Sequence, residues 1–162
     1  MTISHDLLLA ILSMDAYNRG YRAGIADDGV GDSDGLGGIG SAIGTATVVM
    51  ESDVEPESPG VENGFYALSY SWNGQTIISY RGTDFEDDMP SVLDVANGWA
   101  VGGGDFRAEQ VELATQFLAQ VEAATTTGFV LTGHSLGGGL AHYASGNTNP
   151  GLPQAGSCCH LI

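Results

Sequence analysis

The order strand, helix, strand, helix along the second half of the chain predicts an α/β protein whose sheet contains at least one parallel pair of strands. Three observations carry that prediction. Phe65–Trp72 alternates large and small side chains and returns through Asn73-Gly74 into Gln75–Tyr80, which reads as a hairpin. Val111, Ala114, Phe117, Leu118 and Val121 recur at helical spacing within 106–123. Gly128–Thr132 is a short apolar run, followed directly by a helical stretch from Leu136 to Ser145.

The remaining elements follow in chain order. Ile3, Leu7, Ala10, Ile11, Met14, Tyr17 and Tyr21 share one helical face, so an N-terminal amphipathic helix is expected over 3–21 with that face inward. Between Gly29 and Gly44 there are seven glycines beside Asp27, Asp28, Asp32 and Asp34, which predicts a long loop without a core element. Asp32-Ser-Asp34-Gly35 has the start of a calcium loop but not the full twelve-residue ligand pattern. A β-branched run at Ala46–Met50 predicts a strand, and the polar stretch Glu51–Gly60 a surface turn. For the hairpin, Tyr66, Leu68, Tyr70 and Trp72 are expected on one face, and Asn73-Gly74 supplies the positive φ angles of a type I′ turn. No internal repeat is present, and 162 residues suit one domain spanning 1–162.

Composition excludes several function classes. Twenty acidic residues face four basic ones, all arginine, for a formal net charge of −16. Such a surface repels nucleic acid and anionic lipid, so a nucleic-acid partner is not expected. A hydrophobic content of 43% is that of a chain with a core rather than a disordered one. The longest apolar run, Leu7–Leu12, has six residues, far short of the roughly 18 to 20 needed for a transmembrane segment. No signal peptide is read, because Asp6 precedes that run and no positive region does; this leaves the cytoplasm or a signal-independent exit. Cys158 and Cys159 are adjacent, a spacing that fits neither zinc, nor a disulfide framework, nor a redox pair, and no cofactor motif is found.

The chemistry concentrates in Gly133-His134-Ser135-Leu136-Gly137, a G-x-S-x-G placed between a predicted strand and a predicted helix. In that context the serine occupies a strained turn with its hydroxyl projecting from the sheet, and flanking glycines remove Cβ atoms that would strike the turn. The serine is expected to be a nucleophile. Its oxyanion needs donors, and the N–H of Leu136 stands at the helix N-terminus, where the helix dipole adds to it. A second donor is expected from the loop after Tyr80, with Thr83 as the candidate.

Tyr80-Arg-Gly-Thr-Asp84 followed by Val130-Leu-Thr-Gly-His-Ser-Leu-Gly-Gly-Gly139 resembles the class 3 lipases of the α/β-hydrolase fold, over roughly 46–146. The resemblance implies Ser135 as nucleophile, Thr83 and Leu136 as the oxyanion hole, Phe85–Gly104 as a lid, and lipid or short-chain fatty-acyl esters as substrates. Its triad runs serine, acid, histidine, each on later loops. Only 27 residues follow Ser135 and none is acidic. The sequence therefore reads as an incomplete α/β-hydrolase-type sheet with an N-terminal helix and a hairpin, truncated after the nucleophile helix.

Among the histidines, His142 lies seven positions beyond Ser135 on one helix, roughly 10 Å along its axis, too far to touch the hydroxyl. His134 is expected to pack beside the turn, and His5 belongs to the first helix. His160 follows a loop long enough to fold back and is the candidate base. With the chain ending soon after the helix, the 129–132 strand is expected at a sheet edge that something must cover. That edge supports an alternative reading, a catalytically silent lipase-like module that forms a homo-oligomer or pairs with a complementing chain.

Overall fold

The computed structural model describes residues 3–24, 35–82, 106–146 and 160–161, with backbone alone at 106–108 and 160–161. The calcium-like acidic cluster at 27–34, Thr83, and the lid segment 85–104 lie outside them. Among the described residues, six strands form one mixed sheet in the order β1-β2-β3-β4-β5-β6. β1 is Ala42–Ile43, β2 Ala46–Glu51, β3 Ala67–Trp72, β4 Gln75–Tyr80, β5 Phe129–Gly133 and β6 His160–Leu161. The first four pair antiparallel, while β4–β5 and β5–β6 are parallel. The described helices are α1 (His5–Asp15), a 3-10 turn at Ala16–Asn18, α2 (Pro59–Glu62), α3 (Phe106–Ala124) and α4 (Leu136–Ser145).

Strand alternation splits the core into two layers. Ile78, Tyr80 and Leu131 turn to one face, where they meet Phe117 and Leu118 of α3 and Leu140 and Ala144 of α4. Leu68, Tyr70, Ile77 and Val130 turn to the other, against Leu8, Leu9 and Leu12 of α1. Two buried hydroxyls reinforce this second contact, because Ser79 donates to the Leu12 carbonyl at 3.0 Å and Thr132 to that of Leu9 at 3.3 Å. The hairpin agrees with the sequence expectation: Asn73 and Gly74 have φ of 49° and 79°, both positive as the turn requires.

Three expectations are corrected. α1 begins at His5, after Ser4, whose hydroxyl caps the helix by accepting the Leu7 N–H, and stops at Asp15 instead of running to Tyr21. Its buried face is Leu8, Leu9, Leu12 and Asp15, whereas Leu7 and Met14 are 53% and 49% exposed. A second apolar stripe offset by one residue wins, because Asp15, a polar residue by type, is neutralised inside the protein by Arg19 at 2.5 Å. The glycine-rich stretch is also not structureless where it is described. Arg19 Nη1 donates to the carbonyls of Leu36 and Gly37 and to the Ser41 hydroxyl, Arg19 and Gly35 form an isolated bridge, and β1 follows. Likewise the polar turn at 51–60 leads into α2, capped by Ser58.

The third correction concerns β5. It is not the last strand, and the sheet does not end with the helix that follows it. β6 pairs with it in parallel, Thr132 opposite His160 and Gly133 opposite Leu161. The backbone at the C-terminal end of β5 is therefore covered by the chain's own residues.

Candidate active site

β5 delivers Ser135 to the surface through a turn that only a special backbone can make. Ser135 has φ 57° and ψ −125°, a conformation that non-glycine residues rarely adopt and that costs of order 1–3 kcal/mol. The residue is exposed, at the head of α4. Strain at an exposed serine between strand and helix is the geometry of a nucleophile elbow.

Two glycines of the motif make this turn sterically feasible. A Cβ on Gly137 would collide with the Tyr80 carbonyl oxygen, and one on Gly133 would lie 2.8 Å from the Gly138 nitrogen and closer still to the Gly137 carbonyl. The turn is then tied by its own backbone: the Gly137 N–H donates to the His134 carbonyl and the Gly138 N–H to that of Ser135, both at 3.0 Å. Leu136 takes the first helical position, directly after the serine, where an N–H has no partner within the helix. That donor is suited to an oxyanion.

The end of β4 meets the elbow through three consecutive residues, each anchored to a different element. Tyr80 is buried and donates its hydroxyl to the Ala114 carbonyl of α3 at 3.2 Å. Arg81 is buried as well; it donates to the Tyr21 carbonyl at 2.8 Å and lies 4.4 and 4.7 Å from the ring centres of Tyr21 and Tyr66. Gly82 gives its N–H to the Tyr17 hydroxyl at 3.1 Å, and a Cβ there would strike that hydroxyl and sit 2.7 Å from the His134 carbonyl oxygen. Tyr17 in turn is 3.2 Å from His134 Nδ1, with the two rings edge to face. Thr83, the expected second donor, follows Gly82 but lies outside the described residues.

The histidines separate clearly. His5 bonds Gln75 at 3.1 Å and stands beside Trp72, at the start of β4 and so at the end of the sheet remote from Ser135. His142 is exposed in the last turn of α4. His134 is held by Tyr17. His160 has its backbone next to Thr132, in the strand whose end carries Ser135. Sequence reasoning singled out Ser135, Leu136, Thr83 and His160 but missed Tyr17, which it had placed on an apolar helix face; no local pattern distinguishes a core tyrosine from one that reaches a loop 65 residues away.

A phospholipase-like family model, the Tle-like phospholipase domain, matches residues 10–151. The chain belongs to that family. The match takes in Tyr17, Tyr80–Gly82 and the whole elbow, so the parts just described belong to the Tle-like phospholipase domain rather than to an appendage of it. Neither the curated proteins nor the solved structures give a significant match. Membership makes this a lipase- or phospholipase-like chain of α/β character, and a hydrolase of lipid esters is what the family name carries. Among the described residues no group of His, Cys, Asp or Glu is arranged to hold a metal ion, and no helix is long and apolar enough to cross a membrane.

Proposed function

We propose that this domain is a serine carboxylester hydrolase of class 3 lipase type on an α/β-hydrolase-type sheet, cleaving phospholipid or other fatty-acyl esters through an acyl-enzyme on Ser135. The observation that carries the reading is the strained, exposed backbone of Ser135 at the turn from β5 into α4. Holding a serine there costs stability and has a chemical return only if its hydroxyl reacts.

In this reading Ser135 Oγ bonds to the acyl carbon while its proton passes to a base, and the carbonyl oxygen becomes an oxyanion. The N–H groups of Leu136 and Thr83 receive that charge. Collapse breaks the ester C–O bond, the alcohol leaves with the proton from the base, and water then releases the fatty acid by the same steps in reverse. His160 is assigned the base. Its backbone pairing beside Thr132 supports this, as do the bonds that hold His5 to Gln75 and His134 to Tyr17 and the place of His142 in the last turn of α4.

The test is hydrolysis of phosphatidylcholine vesicles and of a fluorogenic short-chain ester by wild type, Ser135→Ala and His160→Ala. Loss of the nucleophile lowers turnover by more than about a thousandfold, and loss of the base by a comparable factor. Equal rates for wild type and Ser135→Ala contradict the serine mechanism, and equal rates for His160→Ala remove His160 from it.

A further inference from the structure

We infer that Tyr17 is a positioning residue for the esterase reaction, its hydroxyl fixing the end of β4 against the nucleophile elbow so that the two halves of the oxyanion hole keep one spacing. The inference rests on the Ser135 reading and deepens it. The two halves arise from different strands and have no covalent link shorter than the 53 residues from Gly82 to Ser135. Where they approach, Gly82 and His134 are so close that no Cβ fits between them. One side chain bridges that gap. The Tyr17 hydroxyl accepts the Gly82 N–H at 3.1 Å and faces both His134 Nδ1 at 3.2 Å and the His134 carbonyl at 3.4 Å.

Two consequences follow from hydrogen-bond valence. The Gly82 N–H is consumed by Tyr17, so it does not serve the oxyanion and instead holds the end of β4 in place. The His134 carbonyl also accepts from the Gly137 N–H, and this doubly held peptide is the one immediately before Ser135. Tyr17 is itself placed by the 3-10 turn Ala16–Asn18, which continues from α1, and α1 packs along β5 and β4 through Leu9 and Leu12. The N-terminal helix is thereby a strut that ends on the reaction centre.

A phenylalanine at 17 keeps the ring beside His134 and deletes only the bridging oxygen. The expected result for Tyr17→Phe on a soluble ester is a kcat reduced by about tenfold to a hundredfold, somewhat less than removal of an oxyanion donor outright. KM stays within about twofold, and the rate at which an alkyl fluorophosphonate labels Ser135 falls in parallel with kcat, because the phosphonyl oxygen occupies the same hole. Tyr17→Leu, which loses the ring too, falls little further if the hydroxyl carries the effect. Unchanged kcat and labelling in Tyr17→Phe, with wild type still dependent on Ser135, overturns the proposal alone. Wild-type hydrolysis that persists in Ser135→Ala overturns the serine reading and this inference with it. A Tyr17→Phe protein that does not fold, or whose KM and kcat change together with its melting midpoint, assigns the hydroxyl to the fold and also overturns the proposal.

Discussion

Gly137 shows how one atom governs the site, since a methyl group there would be driven into the carbonyl oxygen of Tyr80. Backbone cannot yield as a side-chain tip can, so Gly137→Ala is expected to cost about 3 kcal/mol, the upper end of overpacking losses, and to lower esterase turnover by displacing the elbow. Urea unfolding of the variant checks the first effect; an unchanged midpoint contradicts the packing argument. Asp15 is a second single-residue control point. Its carboxylate is buried, contacts Arg19 at 2.5 Å and accepts the Tyr70 hydroxyl at 2.8 Å, while its other oxygen has no partner among the described residues. Asp15→Ala leaves a buried guanidinium without its counter-charge and is expected to destabilise by about 3–5 kcal/mol, measured the same way. The motif serine and its glycines were legible in the sequence because their spacing reports the turn directly. Asp15 and Tyr17 were not, because burial of a charge and a contact across the fold are settled by partners far along the chain.

At the scale of elements, the hairpin, α3, β5 and α4 were legible to within a residue or two, since each carries an uninterrupted period and a start or stop signal. The first helix was legible as a helix and misread as to its face. Leu7–Leu12 is apolar all round, so periodicity offered two stripes, and packing on β4 and β5 chose Leu8, Leu9 and Leu12. β6 was invisible, because two paired residues leave no pattern. The sheet also has a pH signature. Burial raises the Tyr70 phenol above its usual value near 10, helped by the Asp15 charge; burial and the bond to Glu51 raise Tyr66, and burial and the Glu122 charge raise Tyr80. These groups stay protonated in the folded chain while the unfolded chain ionises near pH 10, so above that pH the unfolded state binds fewer protons. Stability from this source is whole below pH 10 and lost as pH rises beyond it, by about 4 kcal/mol per pH unit for three such groups. Urea midpoints at pH 8, 9 and 11 test this: a flat profile to pH 9 and a fall at 11 is expected, and no fall contradicts it.

For the whole molecule, helices on both faces of a mixed sheet bring the last turn of the N-terminal helix, the end of β4 and the elbow to one end of the strands, and the family match, which begins within that helix, takes in the other two whole. Fold class was legible from element order alone. The complete catalytic set was not: the 27 residues after Ser135 contain no acidic side chain, and the short strand that carries His160, the proposed base, has no sequence signal. The formal charge of −16 sets a field that works against anionic substrates and reagents, so the decisive probe should be uncharged. Peptide mass mapping after treatment with a neutral alkyl fluorophosphonate decides whether Ser135 is the nucleophile. One phosphonyl group is expected, on Ser135, with ester hydrolysis lost in step with its incorporation and no labelling of Ser135→Ala. Hydrolysis that survives in full while Ser135 stays unmodified, or a label found on another residue, would contradict it.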